Sequence, residues 1–357
     1  MNENNKRLHD QGQSLWVDNI TRAMLDDGTL AKYIAELSVT GLTSNPTIFE
    51  KAIGGGSDYD AQIAELAATE NDPEGIFFEL AITDLRRAAD LFADTAARTH
   101  GVDGFVSLEV SPLLADDTDG TISQAVDLHA RAERDNLFIK IPGTPAGLPA
   151  IEEAIFRGVP VNVTLLFSRE QYLAAADAYM KGVERRIEAG LDPAVNSVAS
   201  LFISRWDAAV INDVSDELRA KLGIAIGQRT YAAYRELIAS DRAQRLANEG
   251  AMTQRLLMAS TGTKDPDASD VLYIEALGAP NTVNTMPEAA LLAYADHGVT
   301  GAPISPDGGD AEEVLASYAE AGFDVDALAA RLQDEGKVSF EKSWHDLIDT
   351  IRQQIPG

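Results

Sequence analysis

Cysteine is absent from the 357 residues, which removes disulfides, thiolate nucleophiles and every zinc site built on Cys. A reducing compartment fits such a chain. Histidine is scarce: His9, His100, His129, His297 and His345 are the five present, and no two stand at the spacing of a helical or loop metal pair. A His-based metal site or a Ser-His-Asp triad would have to be assembled from scattered residues, without the local signatures that such sites leave. No apolar run approaches the length that crosses a bilayer, and the stretch from Met1 to Ser14 is polar where a signal peptide would be apolar. The expectation is a soluble, cytosolic protein. The sequons at Asn19 and Asn162 are then coincidental, because glycosylation requires secretion.

Positive charge is also in short supply. Against 57 Asp and Glu stand 29 Lys and Arg, a formal net charge of −28. Such a surface repels a phosphate backbone, so nucleic acid and anionic membranes are excluded as partners. It repels phosphorylated metabolites too, so a site for them must hold local cations strong enough to override the background. Only nine lysines are present, few enough to inspect one by one. Hydrophobic residues make up 45% of the chain, enough for a large core in one big domain or two modest ones, and enough to exclude disorder.

What is there is an alternation of short apolar or β-branched runs with longer stretches of helical periodicity, the pattern of repeated βα units on a parallel sheet. Eight strands are predicted, over 14–18, 40–45, 104–109, 137–141, 159–164, 198–203, 256–260 and 282–284. Several are continuously apolar, as strands become when helices cover one side and packed side chains fill the other. Among the helices, Tyr172, Leu173, Ala176, Tyr179, Val183 and Ile187 follow a 3.6-residue period, with Glu184, Arg185, Arg186 and Glu188 on the outer side.

Glu109 to Lys140 spans 31 residues and Lys140 to Thr164 spans 24, each near one strand-helix repeat. Asn45 to Glu109 spans 64 and Ile203 to Ser260 spans 57, so extra helices are expected after strands two and six. The triplet Gly54-Gly55-Gly56 reads as a turn; it matches neither a P-loop nor a dinucleotide fingerprint. A Pro/Gly-rich linker over 301–309 leads to Asp310 as N-cap and Glu313 at the third helical position. Beyond it, Phe340, Trp344, Leu347, Ile348 and Ile351 share one face and should dock on the main body. No sequence repeat of 20–50 residues is present. The fold expected is an α/β (β/α)8 TIM barrel with extra helices, residues 1–300, carrying a helical extension over residues 301–357 packed on it.

In such a barrel, chemistry stands at the carboxyl ends of the strands, so the polar residues that end the apolar runs matter most. Strand one ends in Asp18, strand two in Asn45 and strand three in Glu109. Strand four carries Lys140, strand five Asn162 and Thr164, and strand seven ends in Ser260. Lys140 lies in Leu137-Phe138-Ile139-Lys140-Ile141-Pro142, where burial favours the neutral, nucleophilic amine that attacks carbonyls. The alternative is a lysine snorkelling from an edge strand. Asp18 and Glu109 can transfer protons around a nascent imine, or simply pair with Lys140 or cap the next helix. Asn45, Asn162 and Thr164 suit the hydroxyls of a sugar, or the tying down of loops. Arg205 after strand six and Lys264 after strand seven together suggest an anion site; singly, each reads as a solvated loop charge.

The segments Leu15-Trp16-Val17-Asp18, Gly41-Leu42-Thr43-Ser44-Asn45-Pro46-Thr47-Ile48-Phe49, Val106-Ser107-Leu108-Glu109-Val110-Ser111-Pro112, Phe138-Ile139-Lys140-Ile141-Pro142-Gly143-Thr144 and Val161-Asn162-Val163-Thr164-Leu165-Leu166-Phe167-Ser168 stand in this order. Together they resemble the transaldolase family. The likeness covers nearly the whole chain and is greatest to the actinobacterial-type branch, including Asn281-Thr282-Val283-Asn284-Thr285-Met286-Pro287. It implies a barrel that moves a dihydroxyacetone unit from a ketose phosphate to an aldose phosphate in the non-oxidative pentose phosphate pathway. By the same resemblance Lys140 is the Schiff-base lysine, Asp18 the acid/base at the C4 hydroxyl, and Glu109 a carboxylate working through a water that Thr164 helps position. Asn45, Asn162 and Ser200 would bind the dihydroxyacetone hydroxyls, and Arg205, Ser260 and Lys264 the phosphate. Two residues depart from the pattern. Lys264 follows a longer loop and stands where related branches have Arg, and Met258 stands where an aromatic is expected.

A protonated imine at C2 is an electron sink, so the C3–C4 bond can break without a metal and no cofactor is called for. Apolar neighbours such as Phe202 could keep water from the waiting enamine. Two other readings remain: an aldolase that releases free dihydroxyacetone, and a barrel that only binds or senses sugar phosphates. The sequence leaves the oligomeric state open, a homodimer being one arrangement it permits.

Overall fold

The computed structural model describes residues 1–69 and 72–355. Glu70 and Asn71, and Pro356 and Gly357 at the end of the expected C-terminal extension, lie outside them. Eight strands form one sheet: β1 (Gln13–Asp18), β2 (Val39–Thr43), β3 (Val106–Glu109), β4 (Leu137–Pro142), β5 (Val161–Leu166), β6 (Ser197–Phe202), β7 (Arg255–Ala259) and β8 (Thr282–Met286). They run in the order β2-β1-β8-β7-β6-β5-β4-β3, every pair parallel. The two ends of that order also meet. The amide of Gly104 donates to Thr40 at 3.0 Å and that of Leu42 to the Phe105 carbonyl at 3.0 Å, which closes the sheet into a (β/α)8 barrel.

Each predicted strand is present, with its ends shifted by at most two residues. The long spacings hold the helices Pro46–Gly54, Asp60–Leu66 and Pro73–Arg98 after β2, and Ser204–Val210, Leu222–Ala239 and Asp241–Asn248 after β6. Local chemistry starts several helices. The Asn45 side chain accepts from the Ile48 amide with Pro46 next in line, and Ser168 accepts from Gln171 ahead of the helix Arg169–Glu188. Two local expectations differ. Asp310 stands at the N-cap of Ala311–Glu320 but its side chain caps no amide, and Leu173 faces outward at 36% exposure.

The barrel floor is filled. Trp16, Phe105 and Phe138 pack together, Phe105 stacked on Phe138 with ring centroids 4.1 Å apart. Gly41 permits this, since a Cβ there would sit 2.6 Å from the Trp16 indole and 2.7 Å from the Phe105 carbonyl oxygen. Asp103 accepts from the Trp16 indole N–H at 2.8 Å, so the floor is also hydrogen-bonded.

The carboxyl end is covered differently. Asp324 caps a 30-residue helix, Val325–Gln354, about 45 Å long by its rise per residue. Its buried positions include Leu328, Leu332, Gly336, Phe340, Trp344, Leu347 and Ile351, a stripe repeating every three or four residues. Gln333 reaches across to donate to the carbonyls of Gly143 (3.1 Å) and Leu165 (2.9 Å), beyond β4 and within β5. Leu165 is held at φ 58°, where the register of β5 against β6 shifts, and this exposes its carbonyl to the clamp. Further along, Ser343 receives a hydrogen bond from Thr47 at 2.8 Å and Trp344 packs edge-on to Phe77 at 5.1 Å. The long helix therefore lies over the barrel mouth.

Replacing Gln333 by Ala leaves two buried carbonyls without their donor and should lower unfolding free energy by about 1–3 kcal/mol. Urea unfolding checks this; a change within error would mean that the clamp contributes nothing.

Candidate active site

Strand register brings the polar residues together. Glu109 stands opposite Lys140 across β3 and β4, and Lys140 opposite Asn162 across β4 and β5, so the three share one ring of the barrel interior. Lys140 is 5% exposed and Glu109 4%. The Lys140 Nζ donates to Glu109 Oε2 at 3.0 Å and to the Ser44 carbonyl at 2.9 Å. β4 is flanked by β3 and β5, so the snorkelling edge-strand alternative does not apply. Asn162 donates to Ser107 at 3.2 Å and accepts from the Ser200 hydroxyl at 2.7 Å. It is buried inside the barrel, beyond reach of glycosylation in the folded chain.

Above this ring opens a cavity of about 330 Å³. Of the ten predicted site residues, Asp18, Asn45, Lys140, Thr164, Ser200, Arg205, Ser260 and Lys264 line it. Glu109 and Asn162 stand behind, bonded to Lys140 and Ser200. Met258 is buried in β7 and is not among the residues lining the cavity.

Asp18 accepts from the Thr43 hydroxyl at 2.6 Å, and Thr43 in turn contacts Thr285 at 2.6 Å. Burial raises the Asp18 carboxyl above its ordinary range, opposed by the Thr43 hydrogen bond and by the charges of Lys140 and Lys264. Glu109 is raised as well, by burial first, with the Lys140 charge opposing. The Glu109 Oε1 and the Thr164 hydroxyl are buried and have no hydrogen-bonding partner among the described residues. Two proton-accepting carboxylates and an amine thus stand together at the base of one cavity.

The charge of the cavity runs against that of the chain. Lys51, Lys140, Arg205 and Lys264 line it, and Asp18 is the one carboxylate among the described lining residues. Arg205 is half-buried, makes no ion pair among the described residues, and lies 5.3 Å from the Phe202 ring centroid and 5.9 Å from that of Phe340. Lys264 is exposed, and its neighbour Asp265 is engaged by Arg219 at 2.6 Å. Ser260, at φ 54° just past β7, contacts Ser204 at 2.9 Å. The Gly54-Gly55-Gly56 turn ends a helix and is not in the cavity wall. No group of three or more His, Asp or Glu able to hold a metal occurs among the described residues. Among them, too, no helix is long and apolar enough to cross a membrane.

Sequence reasoning missed Lys51, Thr43, Thr285 and the entry of Phe340 into the cavity wall. Lys51 carried a signal: Asn45, Ile48 and Lys51 fall on one helical face at steps of three, so the face that starts at the strand end continues to the rim.

The whole chain has relatives among known proteins. The profile of the Transaldolase/Fructose-6-phosphate aldolase family matches residues 15–351. The chain belongs to this family. It is 46% identical to the transaldolase of Saccharopolyspora erythraea over 99% of this chain and 98% of the other. Identity to the transaldolase of Mycolicibacterium smegmatis is also 46%, over the same shares, and to transaldolase 1 of Streptomyces avermitilis 42%, over 99% and 96%. The family match runs through the barrel and on into the long C-terminal helix.

The raised Asp18 carboxyl has a consequence for stability. Below 3.8, its ordinary value, Asp18 is protonated in both states and the gain from keeping it neutral is complete. As pH rises the unfolded chain releases the proton first, and the gain is gone once pH passes the folded value. Asp18→Asn, which carries no charge, should therefore become more stable relative to the native chain on going from about pH 4 to about pH 7.5. Urea titrations at both pH values measure the difference; one that shrinks with rising pH contradicts the assignment.

Proposed function

We infer that the site works as a transaldolase, transferring a ketone unit through an imine on Lys140. The observation that carries the reading is a buried amine 3.0 Å from a buried carboxylate, at the base of a cation-lined cavity in a chain of net charge −28. Glu109, with its proton affinity raised by burial, takes a proton from the Lys140 ammonium and frees the amine. The amine attacks C2 of a ketose phosphate, water leaves, and a protonated imine forms. Asp18, steadied by Thr43, takes the proton of the C4 hydroxyl; the C3–C4 bond breaks, its electrons pass into the imine, and an aldose phosphate departs. The enamine left on Lys140 then attacks a second aldose phosphate, the steps run in reverse, and water releases the new ketose phosphate.

Sedoheptulose 7-phosphate and glyceraldehyde 3-phosphate would give erythrose 4-phosphate and fructose 6-phosphate, within the non-oxidative pentose phosphate pathway and a cytoplasmic setting. Asn45, Asn162 and Ser200 would hold the dihydroxyacetone hydroxyls. Arg205, Ser260 and Lys264 would hold the phosphate, a reading supported by Arg205 and Lys264 lining the cavity with no ion pair among the described residues. The free Glu109 Oε1 and the Thr164 hydroxyl support a role for both in ordering the water that enters and leaves the imine.

Borohydride with fructose 6-phosphate should fix a three-carbon adduct on the Lys140 peptide, read by mass spectrometry. Lys140→Met should lower kcat by at least about three orders of magnitude while the circular dichroism spectrum is kept. An adduct on another lysine, or a collapsed spectrum, would sink the assignment. Chelators should leave the rate unchanged. Lys264→Ala should raise KM for phosphorylated acceptors about tenfold and leave KM for glyceraldehyde unchanged, because only the phosphate meets that charge. Equal effects on both acceptors would argue against a phosphate contact.

A further inference from the structure

We propose that Phe340, on the C-terminal helix, determines whether the ketone unit is transferred or released. The inference rests on the imine reading of Lys140 given above. Phe340 is 6% exposed and lines the cavity. Its ring centroid lies 5.9 Å from the Lys140 Nζ and 5.9 Å from the Arg205 guanidinium carbon, and meets Phe202 edge-on at 6.5 Å. Glu109 and the Ser44 carbonyl take the polar side of the amine, so the two aromatic rings cover an apolar side of the same chamber. The ring is contributed by the long helix across the mouth, not by any loop that follows a strand.

That helix is pinned on both sides of the ring. Before it, Gln333 bonds the Gly143 and Leu165 carbonyls and Lys337 meets Asp116 at 2.7 Å. After it, Ser343 meets Thr47 and Trp344 packs against Phe77 and Phe78. Phe340 is therefore a fixed wall, and the space it fills is denied to water.

The enamine on Lys140 has two fates. It can attack an aldehyde carbon, which consumes no water and forms the C3–C4 bond of a new ketose. Or C3 can take a proton, water can add at C2 of the resulting iminium, and the C2–N bond can break to give free dihydroxyacetone and the Lys140 amine. Both routes end with water at C2, on the side of Glu109 and Thr164; the second alone needs a proton brought to C3 of the waiting enamine, and an apolar ring beside Nζ limits the water that would bring it. Removing the ring should open the second route while leaving the amine, both carboxylates and the phosphate cations in place.

The test compares the native chain with Phe340→Leu and Phe340→Ala, using fructose 6-phosphate as donor. Free dihydroxyacetone is measured without acceptor, and transfer is measured with glyceraldehyde 3-phosphate. The ratio of release to transfer should rise in the order native, Leu, Ala, reaching about tenfold or more in the Ala variant. A role in packing alone would slow both reactions together and leave the ratio unmoved, which would overturn the proposal. Thermal melts check that each variant folds; should Phe340→Ala not fold, Phe340→Leu alone must still raise the ratio. Borohydride trapping separates the two layers of argument. An adduct at Lys140 with an unchanged ratio removes the role of Phe340, whereas no adduct in the native chain removes the imine reading itself.

Discussion

The structure turns on one ion pair held away from water, the Lys140 Nζ at 3.0 Å from Glu109 inside a closed barrel. Taking two charges out of water costs several kcal/mol apiece, and their attraction offsets this only with good geometry and further hydrogen bonds. Here the Ser44 carbonyl supplies one such bond, while Glu109 Oε1 has no partner among the described residues. The pair is better explained by chemistry than by stability. Aromatic rings bound it on two sides: Trp16, Phe105 and Phe138 fill the floor below, and Phe202 and Phe340 cover an apolar side above. A second carboxylate, Asp18, is kept in the same chamber with its proton affinity raised. Such a site is stabilised from outside itself, by the aromatic floor and by a long helix docked along one apolar stripe.

Much of this was legible because parallel barrel strands are buried on both faces and so read as apolar runs. A polar residue within or at the end of such a run stands out, as Lys140 does among Leu137, Phe138, Ile139 and Ile141. The eight strands and, among the residues lining the cavity, Asp18, Asn45, Lys140, Thr164 and Ser260 follow from that contrast, whereas Arg205 and Lys264 were read from the cations after strands six and seven and Ser200 from the family resemblance alone. The rest was not legible for equally physical reasons. Phe340 could be placed on an apolar face, but which part of the barrel that face would meet depends on the Gln333 clamp and on the displaced backbone at Leu165, both tertiary. Asp310 has the right residue type for a cap, yet the chain there turns otherwise, with Asp307 accepting from Gly309 and Ser305. Thr43 and Thr285, far apart in sequence, meet because β1 lies between their strands.

Charge gives the last step. In a chain with 57 acidic residues, a cation on the surface soon finds a carboxylate, as Lys6, Lys32, Lys181, Lys337 and Lys342 do, while Lys140 pairs with Glu109 inside the barrel. Lys51, Lys221 and Lys264 form no ion pair among the described residues, and Lys51 and Lys264 both line the cavity. Arg205, also unpaired there, completes the set. Because charge is screened within about 8–10 Å at ordinary salt, a substrate at the mouth responds to these near cations and little to the distant negative surface. The same surface disfavours anions anywhere else on the molecule. Unpaired cations gathered in one cavity of an acidic protein therefore favour an anion there, as the phosphate reading proposed above requires, while the rest of the surface disfavours it.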